Sequence, residues 1–299
     1  MMDINSDKAG DPWNRVTVVM VTRNSAGALP VSLGSLAPAR RVVLVDALST
    51  DRTVEVAKAT HPKVEVVALA EDHGLAAAIN AGLDRVETEF ALNINPDTRF
   101  SPGCVERLSA MADANPRAAG VAPLLTNARG NPEVDVMGPG EIRHRKIAVQ
   151  PDGPFCTWFL TGAAVLWRVE ALRAVGGFDP GIFLYNEDAD ISLRATRAGF
   201  SLIVDPGARA EHFGGASEEI TLKSRMRRDW NMVWGHLYYE RKHGAPGDAE
   251  AAARDTIRRC RRECLLGLLT LRPGKFLTNR VKKAAAEGFL KGDPPWGRA

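Results

Sequence analysis

The first 125 residues alternate between two patterns that few architectures satisfy together. Residues 16–21 (VTVVMV), 41–46 (RVVLVD), 64–69, 90–94 and 120–124 are short runs of mostly β-branched and aliphatic side chains. Runs apolar on both faces read as strands buried inside a parallel sheet. Between them lie segments of helical character. These are 26–36, 54–59 behind the polar Ser49-Thr50-Asp51, the Ala-rich 74–86, and 101–115, which opens on Ser-Pro. The alternation predicts an α/β fold: a Rossmann-like, doubly wound, mostly parallel sheet flanked by helices.

The rhythm breaks after residue 125. Residues 126–157 are rich in Gly, Pro, Asn and charge and read as one long loop. A strand over 160–167, a short helix over 169–175 closed by Gly176-Gly177, a helix over 188–198 and a strand over 200–204 follow. From residue 222 the chain reads as helical, with Pro273-Gly274 separating the last two helices. The expected organisation is a flexible N-terminal tail (1–15), an α/β domain (16–221) and a basic helical C-terminal region (222–299).

Charge follows the same division. The net +3 is the sum of −7 over residues 1–221 and +10 over 222–299. An acidic body argues against a nucleic-acid partner, while a basic tail suits phosphates, a protein partner or an anionic membrane. Cys104, Cys156, Cys260 and Cys264 have no metal-binding spacing and read as small buried hydrophobes in a reducing compartment. The first fifteen residues lack the apolar core of a signal peptide, and the apolar run at 264–271 is too short to span a bilayer. The expectation is a cytoplasmic protein, peripheral on the inner face of the membrane. In the tail, Ile257, Cys260, Cys264, Leu268 and Leu271 recur at helical spacing beside Arg254, Arg258, Arg259, Arg261 and Arg262. Such a helix either packs on the body with a solvated basic face or lies on a membrane.

Open α/β sheets bind ligands beyond the carboxyl ends of their strands. There the sequence places Thr22-Arg23-Asn24, Asp46, Asn95-Pro96-Asp97 and, past the strand at 200–204, Glu211-His212. Asn186-Glu187-Asp188 stands ahead of the 188–198 helix. Polar and acidic side chains thus gather at one edge. No G-x-G-x-x-G follows the first strand, no P-loop motif occurs, and no G-x-S-x-G elbow appears. An acidic crevice without a glycine cradle for phosphate suggests a divalent metal bridging carboxylate and diphosphate.

Five segments, in order, resemble glycosyltransferase family 2 with the GT-A fold: VTVVMVTRN, VDALSTDRT, NINPDT, FLTGAAVLWRVEALRAVGGFD with FLYNEDADISLRATRAGF, and EHFGGAS. The Asn-Pro-Asp form is similar to that of rhamnosyltransferase-like members. The resemblance covers about 16–221 and implies an inverting, metal-dependent transfer of a sugar, rhamnose or another deoxysugar. The donor is a nucleotide-diphosphate sugar, and the acceptor is a hydroxyl of a cell-surface glycan or polyprenyl-linked acceptor. It implies Thr22, Asn24 and Asp46 around the nucleotide, and Asp97 with His212 on Mn²⁺ or Mg²⁺. It makes Asp188 the general base, and Trp158, Thr161, Gly162 and Glu187 contacts of the donor or acceptor sugar.

By residue chemistry alone, Asn-Pro-Asp is equally a turn after a strand, a lone His is more often structural, and acids at a helix start are often caps. Asp190 is assigned to that capping role, and Glu187 stands between acceptor contact and structure. Like-charge neighbours raise the pKa of Asp188 while the helix N-terminus opposes them. Trp167 and Phe178 are assigned to the core. Two departures matter: Asn95 replaces the first acid of the D-x-D motif, and Ala47-Leu48 replaces a polar pair near the nucleobase. They keep open the alternative of a catalytically silent nucleotide-sugar-binding or scaffolding protein on the same fold.

Overall fold

The computed structural model describes residues 10–136, 138, 145–147, 151–214 and 221–296. Part of the stretch expected as a flexible tail is folded. Pro12–Arg15 forms one 3-10 turn capped by Asp11, and Trp13 is buried with its indole N–H donating to Glu106 at 2.9 Å. Residues 1–9 lie outside the described residues.

The sheet is built first from β1 (Val16–Thr22), β2 (Val42–Asp46), β3 (Glu65–Ala68) and β4 (Phe90–Ile94), all parallel and in the spatial order β3-β2-β1-β4. The crossovers carry α1 (Leu29–Gly34), α2 (Thr53–Thr60) and α3 (Leu75–Leu83). The buried runs of β1, β2 and β4 are sandwiched. Val18, Met20, Leu44 and Leu92 pack with Leu29, Leu33 and Ala57 on one face. Val43 and Val45 pack with Ala78 on the other. Two layers of helix on a parallel sheet are what the alternating pattern predicts.

The second half departs from a purely parallel sheet. After β5 (Thr98–Phe100) and α4 (Cys104–Ala114), β6 (Ala118–Thr126) continues the sheet. β10 (Ala164–Arg168) is inserted between β4 and β6, antiparallel to both. β11 (Ser201–His212) runs parallel to β6 and antiparallel to β5. The segment expected as one long loop also contains strands: β7 (Pro132–Val136), β8 (Arg145–Ile147) and β9 (Phe155–Thr157). β11 runs eight residues past the end of the expected strand at 200–204. It passes Asp205-Pro206-Gly207 through a register shift, as a bulge allows. Asp205 is fully buried there and held by Arg107 at 2.8 Å.

Helices α5 (Val169–Ala174) and α6 (Glu187–Arg197) cover the face of the sheet where Trp167 meets Phe178 edge-on, 6.3 Å between ring centroids. Both aromatics are core, as expected. The tail folds into α7 (Leu222–His243), α8 (Asp248–Leu269) and α9 (Pro273–Lys291). Trp234, Leu237, Ala249, Ala253, Ala286 and Phe289 form their shared core. α7 is also part of the body, since Tyr239 packs with Phe159, Ala189 and Leu193. Of the expected stripe on α8, Cys260 is buried and Ile257 and Cys264 are half-buried, but Leu268 and Leu271 face outward. Cys104 and Cys260 are buried as expected and Cys264 is half-buried, but Cys156 is exposed, contrary to the expectation of burial.

Candidate active site

The strand ends assemble the site. The β1–β2 register puts Thr22 beside Asp46 at the carboxyl edge. One strand further, the chain leaves β4 through Asn95-Pro96-Asp97. A cleft of about 450 Å³ opens over this edge. Its walls include Thr22, Arg23, Ala47, Asn95 and Asp97 from the sheet side. Phe183, Tyr185, Ser224, Arg225, Arg227 and Arg228 close it from the other side.

Asp46 is buried, and one carboxylate oxygen accepts from the Ser49 N–H at 3.2 Å while the other has no hydrogen-bond partner. A buried, half-satisfied carboxylate at the edge of a cleft suits an N–H or O–H of a ligand. Thr22 lines the cleft, but its hydroxyl is turned to the Val45 carbonyl at 3.4 Å. Asn24 has a structural partner at the same edge. It sits at φ 50, and its side-chain oxygen accepts from the Thr50 N–H at 2.7 Å. Its side-chain oxygen thereby ties the β1 end to the β2–α2 loop.

Asp97 and His212 come together as expected. Antiparallel pairing of β5 with β11 sets His212 opposite Thr98, the residue after Asp97. His212 Nε2 lies 3.2 Å from Asp97 Oδ1, and the Asp97 carboxylate is nearly buried. An oxygen and an imidazole nitrogen at this separation fit neighbouring positions around a divalent cation with metal–ligand distances of roughly 2.0–2.3 Å. Among the described residues no cluster of three or more His, Cys, Asp or Glu side chains surrounds a common point. Any cation held here therefore needs oxygens from a diphosphate or water as well. Residues 215–217 of the EHFGGAS segment lie outside the described residues.

Asp188 reaches the same edge by an indirect route. β10 is antiparallel, so its start, not its end, lies at the carboxyl end of β4. Gly162 therefore arrives beside Asn93, whose amide donates to the Gly162 carbonyl at 2.9 Å. Asn95 N–H donates to the Ala163 carbonyl at 3.0 Å. Asp188 in turn accepts from Gly162 N–H at 3.2 Å and from Ala189 N–H at 2.8 Å. Gly162 leaves only contact distance to this carboxylate, since a Cβ there would stand 3.5 Å from that of Asp188. Thr161 is half-buried in the same turn, and Trp158, just past β9, is 38% exposed.

Three acids at the start of α6 have three different fates. Glu187 is buried with one oxygen unpartnered, and burial, then the charge of Asp188, push its pKa up to about 8. The shift favours the protonated form of Glu187 beside the Asp188 carboxylate. Asp190 is not a cap. It is fully buried, with Lys242 Nζ at 2.6 Å and His243 Nε2 and Arg194 at 2.7 Å. Those partners outweigh burial and hold its pKa down at about 2. α6 is thereby tied to the end of α7, and Lys242 also reaches Asp179 at 2.6 Å. The turn leading into α6 is tight, with Tyr185 and Asn186 at φ 69 and 70. α7 crosses it at Gly235, where a Cβ would stand 2.8 Å from the Tyr185 carbonyl.

The basic wall has no counterpart among the expected residues. Asp72 holds both Arg23 and Arg227, the latter at 2.6 Å, so the start of α7 is fastened to the cleft rim. Arg225 and Arg228, one turn apart, remain exposed on that wall. Positive charge facing a carboxylate–imidazole pair suits a diphosphate. The run Arg225-Met226-Arg227-Arg228 at the start of a predicted helix is the sequence signal that marks them.

Acidic strand ends, a cleft over them and a basic wall on a mixed α/β sheet define a nucleotide-sugar-dependent glycosyltransferase of the GT-A type. The model of the family "Glycosyl transferase family 2" matches residues 17–174, more than half of the chain, and the chain belongs to that family. It is 29% identical over 231 residues to N-acetylglucosaminyl-diphospho-decaprenol L-rhamnosyltransferase of Mycobacterium tuberculosis, covering 65% of this chain and 75% of that protein. It is 29% identical over 209 residues to the pre-mycofactocin glycosyltransferase of the same organism, covering 68% and 44%. Among solved structures it is similar to a mannosyltransferase of Pyrobaculum calidifontis in complex with GDP-Man and Mn²⁺ (TM-score 0.57, 19% identity, 92% and 87% coverage). It is also similar to GalNAc-T7 with UDP, GalNAc and Mn²⁺ (TM-score 0.58, 16% identity), with 80% of this chain against 54% of that one. Both likenesses concern the fold.

Proposed function

We propose that the protein is an inverting, divalent-metal-dependent glycosyltransferase. It moves rhamnose or a similar deoxysugar from a nucleoside diphosphate to a hydroxyl of a polyprenyl-linked or cell-surface glycan. The observation that carries this reading is Asp188, held by Gly162 at the strand edge where Asp97 meets His212. The nucleotide lies over the ends of β1 and β2, with the free oxygen of Asp46 accepting from it. Arg225 and Arg228 draw the diphosphate to the α7 side. Asp97 and His212 would hold a divalent cation, which would supply positive charge to the departing diphosphate. Asp188 takes the acceptor's hydroxyl proton as that oxygen bonds to the anomeric carbon. The sugar–phosphate bond breaks, the nucleoside diphosphate leaves with the electron pair, and no covalent enzyme intermediate is needed. Trp158 and Thr161, beside Gly162, face the sugars. The decaprenol-linked substrate in the name of the mycobacterial relative supports a lipid-linked acceptor. In this reading the protein works on the cytoplasmic side, at the inner face of the membrane.

A panel of nucleotide sugars with Mn²⁺ tests the donor: the true donor raises the melting temperature by mass action, and acceptor then releases nucleoside diphosphate. No stabilisation by any nucleotide sugar would overturn the reading. EDTA is expected to stop transfer and Mn²⁺ to restore it; full activity in EDTA would remove Asp97 and His212 from their roles. Arg225→Ala is expected to raise the donor KM roughly tenfold, the weight of one charge-assisted contact, with little change in kcat. An unchanged KM would take Arg225 off the diphosphate.

A further inference from the structure

Five of the eleven large apolar side chains exposed among the described residues lie within seven positions of one another. Leu265, Leu266, Leu268, Leu269 and Leu271 are 58%, 40%, 57%, 71% and 89% exposed. Single exposed leucines are ordinary, but a contiguous group marks a contact surface. The group forms the corner between α8 and α9. The inward side of that corner is filled: Gly267 is buried, and a Cβ there would stand 3.0 Å from the Phe276 backbone. The leucines take the remaining arc of the helix end. Leu271 closes α8 at φ 51, a left-handed conformation that a leucine adopts only at a cost, and it leaves its side chain the most exposed of the five.

The surroundings are strongly basic. Residues 254–283 hold ten Lys or Arg and two Asp or Glu. Arg258, Arg261, Arg262, Arg272 and Lys275 are all exposed. Their ion pairs, such as Lys275 with Glu263 at 2.6 Å and Arg261 with Glu287 at 3.8 Å, leave a large excess of positive charge. No helix among the described residues is long and apolar enough to cross a membrane.

We propose that the α8–α9 corner seats its leucines in the interfacial layer of an anionic phospholipid bilayer, with the arginine rim on the lipid phosphates. Apolar side chains around a convex corner suit mobile acyl chains, and basic residues suit an anionic surface. A second copy of this chain would bring one basic surface against another. The proposal rests on the proposed function only in its purpose, which is to hold the cleft near a lipid-linked acceptor.

The test is flotation of the full-length protein with vesicles of phosphatidylcholine alone and of phosphatidylcholine with phosphatidylglycerol, without donor or acceptor. Binding is expected on the anionic vesicles, weak on the neutral ones, and decreasing with salt. The triple variant Leu268→Ser, Leu269→Ser, Leu271→Ser is expected to bind at least about tenfold more weakly at an unchanged melting temperature. Arg261→Gln with Arg262→Gln and Arg272→Gln is expected to weaken binding on anionic vesicles alone. No binding to anionic vesicles, or equal binding by the leucine variant, overturns the proposal. A concentration-dependent dimer lost in the leucine variant, without vesicle binding, assigns the corner to self-association and also overturns it. Transfer to a water-soluble acceptor analogue is read separately, so either reading fails without the other.

Discussion

Asp188→Asn is expected to lower turnover by roughly 10²–10⁴-fold, the range for losing a positioned general base, while donor binding with Mn²⁺ persists. The change is nearly isosteric. The Asn oxygen still accepts one of the two N–H bonds now made by Gly162 and Ala189, so the turn and α6 stay in place. What disappears is the carboxylate that takes the acceptor proton. The measurement is steady-state release of nucleoside diphosphate, alongside a thermal shift with donor. Turnover near wild type would remove Asp188 from the role of base. Loss of the donor shift would make the residue a binding group instead.

Asp190→Asn, two residues away, is expected to act on stability. It removes the negative charge shared by Lys242, His243 and Arg194 in a fully buried position. Breaking a buried ion pair from one side costs about 3–5 kcal/mol, which lowers the melting temperature on the order of 10 °C in a chain of this size. The pH dependence gives the sign. The folded-state pKa of Asp190 is about 2, below the ordinary aspartate range. The folded state therefore gains stability from this carboxylate above about pH 4, and loses it as pH falls towards 2. The variant should lose that part of the acid dependence. An unchanged melting temperature would mean that the network does not hold α7 to α6.

The pattern of buried runs and helical segments was enough to read β1, β2, β4, α3, α4, α5 and α6 within a few residues. Local periodicity decides those elements, and tertiary contacts only confirm them. Strand direction was not readable. β10 is apolar on both faces, like a parallel strand, and nothing within it says which end meets the carboxyl edge. In the sequence the β11 pattern stops at Asp205-Pro206-Gly207, a local turn signal, whereas a bulge and the Arg107 partner carry the strand through it.

The site divides in the same way. Asp46, Asp97, Glu187, Asp188 and His212 were visible because acids and a histidine at strand and helix ends stand out against apolar surroundings. Their environments were not visible. The bond from the Thr50 N–H to the Asn24 side chain, 26 residues apart, cannot be read from the chain. Asp190 looks like a cap and is a buried hub. Arg225, Arg227 and Arg228 lie more than 120 residues from the first strand ends they face, a distance in sequence that only folding spans.

The sequence by itself determined the layers, the edge where chemistry gathers and the identity of the reactive groups. Period, β-branching and charge act over a few residues, and these properties depend on nothing further. The tertiary structure decided which groups face one another. It paired Asp97 with His212, brought Gly162 to Asp188 through an antiparallel strand, and raised Glu187 while lowering Asp190 within one helical turn. Burial and partner charge set those outcomes, and both depend on neighbours that are remote in the chain.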